Sequence, residues 1–309
     1  MAFRYNPAMP SLPRRDFLGF LGTVLLPSCA APPPAGPGGV PKKVLVGAHP
    51  WVYAASRPGN DITGVLDQIF ADFKYAGMDF VELMHTALEP DDAVARIGEL
   101  SEKHGLPVIG TSYGAAMWDR TKHEEIFAYA GRMIERLGQL GARLIGTSVG
   151  NAGHLKTPEE LDAQAEILRR IMYRAEVNGI TVNLHNHIYE VENGEHDLNG
   201  TLARIPEAKL GPDLDWLTGA GVDPVGFIGR HGGRLVYAHL RDRRGDGVWT
   251  EAMGEGAIDY KAIGEALRAA NFAGSLAIEL AHPKDFQLTR PLRDSFKISR
   301  EFVRATMGY

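Results

Sequence analysis

The chain has 309 residues, of which 44% are hydrophobic and 23% charged, with a formal net charge of −5. This is ordinary globular composition, long enough for one large core. The acidic balance argues against a surface that tracks a phosphate backbone, so no nucleic acid partner is expected, and the single cysteine, Cys29, excludes an intramolecular disulfide.

In chain order, the first feature is Arg14-Arg15 followed by the apolar stretch FLGFLGTVLLP, which is too short to span a bilayer as a stable helix. Residues 1–28 match a twin-arginine export leader, with Pro13 where Ser or Thr is usual. Cys29 follows Leu-Leu-Pro-Ser and resembles a lipoprotein cleavage site, so the only expected membrane link is a lipid anchor there; a plain signal peptide cut near Ala30 is the alternative. Residues 29–41 are too rich in Pro and Gly to fold and form a tether. The expected location is therefore exported, either periplasmic or anchored on the outer face of a membrane.

From Lys42 onward, short β-branched apolar runs alternate with longer amphipathic segments. The runs at 43–49, 79–84, 107–113, 143–149, 181–187, 210–215, 235–242 and 275–280 read as strands. Between them, Ile126, Tyr129, Met133, Leu137 and Leu140 recur at helical spacing. Thr157-Pro158 with Glu160 opens a further helix through a capping box, and Gly179 closes it. Eight strand–helix pairs over residues 42–309 predict a single (β/α)8 TIM barrel. A doubly wound open sheet is the alternative, but no G-x-G-x-x-G follows the first strand.

Active sites of such barrels lie at the C-terminal ends of the strands. There the fifth run offers His185 and His187, the sixth Asp215, the seventh His239 and Arg241, and the eighth Glu279. Imidazoles and carboxylates without thiolate suit one divalent ion, Mn2+, Co2+, Zn2+ or Mg2+. Taken singly, each histidine reads more readily as a hydrogen-bonded structural residue. Two places apart in an extended strand, His185 and His187 project to one side.

The stretches YAHLRD (237–242) and GEGAIDYKAIGEALRAANFAGSLAIEL (254–280) resemble the closing third of the xylose isomerase-like superfamily of sugar-phosphate isomerases and epimerases, and LHNHIYE (184–190) resembles one branch of it. The resemblance implies a divalent ion held by His185, Asp215, His239 and Glu279, with Glu279 also serving in acid–base chemistry. In many members the first of these ligands is a glutamate that shuttles protons; its replacement by His185 puts the two-glutamate mechanism in doubt. His187 then becomes an acid–base group, although the reverse assignment, with His187 as ligand, stays open. Glu190 either orients one of these rings or is a solvated loop carboxylate.

Glu82, ending the second strand, has a counterpart in the family that faces substrate, so it too is a candidate catalytic group. A purely structural role, paired with Arg241 or His49, is the alternative. Arg241 can grip a substrate oxygen through its planar fork, whereas Arg243 and Arg244 read as solvated loop residues. His49 is a candidate substrate contact, and His85 a weaker candidate on the same grounds. Trp216, Trp118 and Trp249 can stack on a sugar ring. Asp259 is expected to cap the helix that follows it.

The chemistry implied is proton abstraction next to a carbonyl of a small carbohydrate, by an isomerase or epimerase acting on a free or oxidised sugar. Alternatives are a lyase or hydratase of 3-keto sugars and an exported sugar-binding barrel without turnover. An abasic-site endonuclease on the same barrel needs about three ions and a basic surface, neither of which this sequence offers.

Overall fold

Among the described residues, eight short runs form parallel strands: β1 Leu45–His49, β2 Val81–Met84, β3 Val108–Gly114, β4 Leu144–Ser148, β5 Thr181–Leu184, β6 Lys209–Leu210, β7 Tyr237–Leu240 and β8 Ser275–Glu279. The computed structural model describes residues 43–309 apart from Ser56, Lys284 and Asp285. The leader, Cys29 and the tether lie outside these residues.

The strands pair in the order β6-β5-β4-β3-β2-β1-β8-β7. Isolated parallel bridges, Leu210 to Leu235 and Asp213 to His239, join the two ends, so the sheet is a nearly closed (β/α)8 barrel. The helices are α1 Trp51–Ala54, α2 Leu66–Tyr75, α3 Ala93–His104, α4 His123–Gln139, α5 Pro158–Val177, α6 Ile188–Arg204, α7 Leu214–Gly219, α8 Pro224–His231, α9 Tyr260–Ala269 and α10 Leu292–Met307. The longer ones are amphipathic and lay one stripe on the strands: α4 buries Ile126, Ala130, Met133, Ile134 and Leu137. α5 begins with the expected capping box between Thr157 and Glu160, and the Asp259 side chain caps α9. Inside the barrel, Phe80, Tyr237 and Ala277 form a plug at the end away from the site, with Leu45, Ile109 and Leu144 packed on it.

Two strands, β5 and β6, stop three or more residues before the ends of the runs read from the sequence. β5 ends at Leu184, because the chain must turn into α6, but the His185 N–H still bonds the Thr147 carbonyl and prolongs the ladder by one step. β6 has only two residues. Pro212 cannot donate to a ladder, and Asp213 caps α7 by accepting from the Trp216 N–H at 2.9 Å. Asp215 therefore lies in the first turn of a helix rather than at a strand end.

Candidate active site

At the C-terminal ends of the strands lies a cleft of about 1300 Å3. Its lining includes His49, His185, His187, His239, Arg241 and Glu279, with Trp216 and Trp249 on the same face. Within it, ligand atoms of His185, Asp213 and His239 come within 4.8 Å of one another. The bridge between Asp213 and His239 fixes two of these residues side by side. The third is positioned by Asn186, whose side-chain amide pairs with both the N–H (3.1 Å) and the carbonyl (3.3 Å) of Asp213.

Asp215, expected among the ligands, is placed elsewhere. Its buried carboxylate accepts from Arg243 Nε and Nη2 (2.5 Å each) and from the Trp249 indole N–H at 2.9 Å. This also corrects the reading of Arg243 as a solvated residue: it is largely buried, bidentate to Asp215 and stacked over Trp216. Arg244 is exposed and pairs with Asp246, as a loop residue should.

Glu82 does not line the cleft as expected; it lies behind His239. Its Oε2 accepts from His239 Nε2 at 2.6 Å and from the Tyr237 hydroxyl at 2.9 Å. Neither Arg241 nor His49, the structural partners expected from the sequence, makes this contact. With Nε2 committed to Glu82, His239 turns Nδ1 toward Glu279 Oε2, 2.5 Å away. That approach lies off the line of a ring N–H bond, so buried Nδ1 has no hydrogen-bond partner among the described residues. Burial opposes charge on His239, yet Glu82 and Glu279 outweigh it and hold its pKa well above the ordinary value. Burial, reinforced by His239 and His187, holds His185 well below it. The two rings meet edge to face at 4.7 Å, one favouring a proton and the other refusing it.

Glu279 sits at the edge of this cluster. Burial would raise its pKa, but Arg241, His49 and His239 hold it well below the usual carboxylate range. Arg241 Nη2 spans Asp213 Oδ2 (2.7 Å) and Glu279 Oε2 (2.9 Å), and its guanidinium carbon lies 5.3 Å from the Trp216 ring and 5.7 Å from the Trp249 ring. His49 faces the cleft with Nε2 on Ser112 Oγ at 2.8 Å and Nδ1 3.6 Å from Glu279 Oε1.

His187 and His185 remain neighbours although neither is in a strand, with ring centroids 5.1 Å apart. His187 is partly exposed, with Nδ1 3.0 Å from the Tyr189 hydroxyl. Glu190 is buried rather than solvated: it accepts from the His187 backbone N–H at 2.7 Å and from Ser148 Oγ at 2.5 Å, fixing the entry to α6, and its Oε2 lies 3.6 Å from His187 Nδ1. Trp118 does not line the cleft and instead meets His154 edge to face.

The set fits a divalent ion. Two imidazoles and a carboxylate converge, and buried His239 Nδ1 makes no hydrogen bond although Glu279 Oε2 lies 2.5 Å away. Glu82 would be the outer carboxylate that fixes the tautomer of His239 were that ring to hold an ion. A proton and a cation would compete for His239 Nδ1.

Sequence reasoning missed several contributors. Asp213 was signalled by Pro212 before it and by its spacing to Trp216, a cap pattern. Asp242 holds the GEGAID loop by accepting from the N–H groups of Gly254 and Gly256 at 2.9 and 3.0 Å. A Cβ on Gly256 would meet Asp242 Oδ1 at 2.1 Å, so this close approach requires glycine.

The sequence profile described as xylose isomerase-like TIM barrel matches residues 70–306. The inosose dehydratase of Geobacillus thermodenitrificans (strain NG80-2) is 24% identical over 237 residues, covering 66% of this chain and 78% of that one. Among solved structures, an L-ribulose 3-epimerase superposes with a TM-score of 0.70 at 20% identity, over 86% of this chain and 95% of the other. The 3-keto-D-glucoside 4-epimerase of E. coli superposes with a TM-score of 0.66 at 18% identity, over 85% and 100%.

Proposed function

The chain belongs to the xylose isomerase-like TIM barrel family, and from that premise we propose that it is a divalent-metal-dependent sugar isomerase or epimerase moving a proton next to a carbonyl. The observation that carries this reading is the convergence of His185, Asp213 and His239, with Glu279 Oε2 2.5 Å from a His239 Nδ1 that makes no hydrogen bond. Those four residues would hold the ion, which when bound polarises a substrate carbonyl and its neighbouring hydroxyl as a Lewis acid.

The chain's own residues do the rest. Trp216 and Trp249 offer aromatic faces to a sugar ring, and the fork of Arg241 between them orients an oxygen of it. His187, half in solvent, is suited to give or take a proton. The leader at residues 1–28 favours free or oxidised sugars as substrates, because phosphorylated sugars are mostly kept inside the cell.

A second reading, elimination from a 3-keto sugar, is favoured by His185. With histidine where the resemblance implies a proton-shuttling glutamate, only Glu279 remains as a carboxylate of that kind, and the proton need not return to carbon. Elemental analysis combined with solvent-deuterium exchange on free and 3-keto sugars tests both readings. A bound divalent ion together with deuterium entering next to the carbonyl supports enolisation; a bound ion without exchange across the panel refutes it. Tight sugar binding with neither ion nor exchange points to a non-catalytic binding barrel.

A further inference from the structure

His85 follows β2 and lines the large cleft together with His185, His239 and Glu279. It also lines a second cavity of about 300 Å3, shared with Glu89, Tyr129, Arg132 and Arg136. The ring is thus a partition between the two spaces. On the far side, Tyr129 of α4 donates its hydroxyl to Glu89 Oε1 at 2.8 Å, which leaves only an oxygen lone pair facing His85. His85 Nδ1 lies 2.6 Å from that oxygen and must be the donor. A neutral imidazole held this way carries its proton on Nδ1 and keeps Nε2 as a bare base. Nε2 makes no hydrogen bond among the described residues.

Tyr113 of β3 stiffens the arrangement. It stacks on Tyr129 with centroids 5.6 Å apart and planes 12° from parallel, and it meets the His85 ring edge to face at 5.4 Å. Glu89 is exposed, so the chain of contacts runs from the cleft to bulk water.

We infer that His85 is an acid–base residue of the cleft, oriented by Tyr129 and Glu89, which relay its proton to solvent. The inference rests on the enolisation reading above. His85 Nε2 takes a proton from a carbon next to the carbonyl, and the electron pair of that bond passes into the enediolate. The Nδ1 proton moves to the Tyr129 oxygen as the Tyr129 proton passes to the Glu89 carboxylate and on to water. Run in reverse, the relay returns a solvent proton to carbon. Burial lowers the His85 pKa, which keeps the ring neutral at pH 7 as the relay requires.

The first test needs no substrate. Imidazole 15N spectra of the full chain at pH 7.5, assigned with His85→Gln, should show His85 as the Nδ1–H tautomer, with Nε2–H appearing in Tyr129→Phe. An Nε2–H tautomer in the wild type overturns the relay. The second follows deuterium entering 3-keto-D-glucose in D2O with Mn2+ present. His85→Gln should slow incorporation about 100-fold or more, the usual weight of a positioned acid–base group, and Tyr129→Phe about tenfold, with Mn2+ affinity unchanged in both. Full exchange in His85→Gln overturns the relay alone, whereas a wild type that binds Mn2+ and exchanges nothing overturns the enolisation reading and the relay together.

Discussion

Asp213 and Asp215 are two places apart, both fully buried, and assigned opposite duties by their contacts. Replacing each by asparagine separates those duties. Asp215→Asn removes a charge that receives two bonds from Arg243 and one from Trp249. Removing one partner of a buried pair costs about 3–5 kcal/mol. Arg243 retains 14% side-chain exposure and the amide oxygen can keep one bond, so about 2–3 kcal/mol is the better figure. At roughly 2–4 °C per kcal/mol for a domain of this size, Tm should fall by about 4–12 °C. Mn2+ affinity should stay within a factor of about three, since no proposed ligand is touched. Asp213→Asn should differ in the metal readout. Its amide oxygen can still cap α7, and buried Arg241, left with Glu279 as its remaining carboxylate, brings a Tm loss of similar order. Mn2+ affinity, by contrast, falls by more than the roughly 10- to 100-fold typical of outer partners. Calorimetric melts and Mn2+ titrations of the two variants decide the matter. Loss of Mn2+ binding in Asp215→Asn at an unchanged Tm would refute the reasoning.

Glu82→Gln keeps the shape that holds His239 and Tyr237 but removes the charge, and Mn2+ titration should show about 10- to 100-fold weaker binding. Lys156→Met strands the buried Asp197 carboxylate with only Gln164 and Thr201 beside it, and denaturant unfolding should show a loss of about 3 kcal/mol. His85, His231 and His282 are all depressed by burial, so the folded chain binds fewer protons than the unfolded chain between their folded values and about pH 6.5. These three should make stability rise with pH up to about 6.5, whereas His239, held well above that value by Glu82 and Glu279, gives up stability as pH rises beyond it. His85→Gln should flatten the rising slope below about pH 6.5 in melts run from pH 5 to 8.

The barrel was legible because its signal is periodic: eight apolar runs, each separated by an amphipathic segment, leave little else to build. His185, His239 and Glu279 were legible as strand-end residues for the same reason. Asp213 and Asp215 were not distinguishable in that way. In an extended strand they share a face, and the choice between them depends on a helix starting one residue after Asp213. The register of a two-residue strand carries almost no hydrophobic pattern to read. Glu82 was recognised as important but misplaced, because a sequence records that a carboxylate sits at a strand end and not whether a histidine from across the barrel covers it. The contact between Tyr129 and His85 joins residues 44 apart through side chains alone, beyond the reach of any local pattern.

The seam between β6 and β7 is where binding of the proposed ion would act on the fold. One of the two bridges that draw the ends of the sheet together joins Asp213 to His239, so any cation gripped by both side chains rivets the ring shut at its weakest join. Loading and closure then share one equilibrium, and chelation should loosen the amides of β6 and β7 ahead of those in β1 to β4.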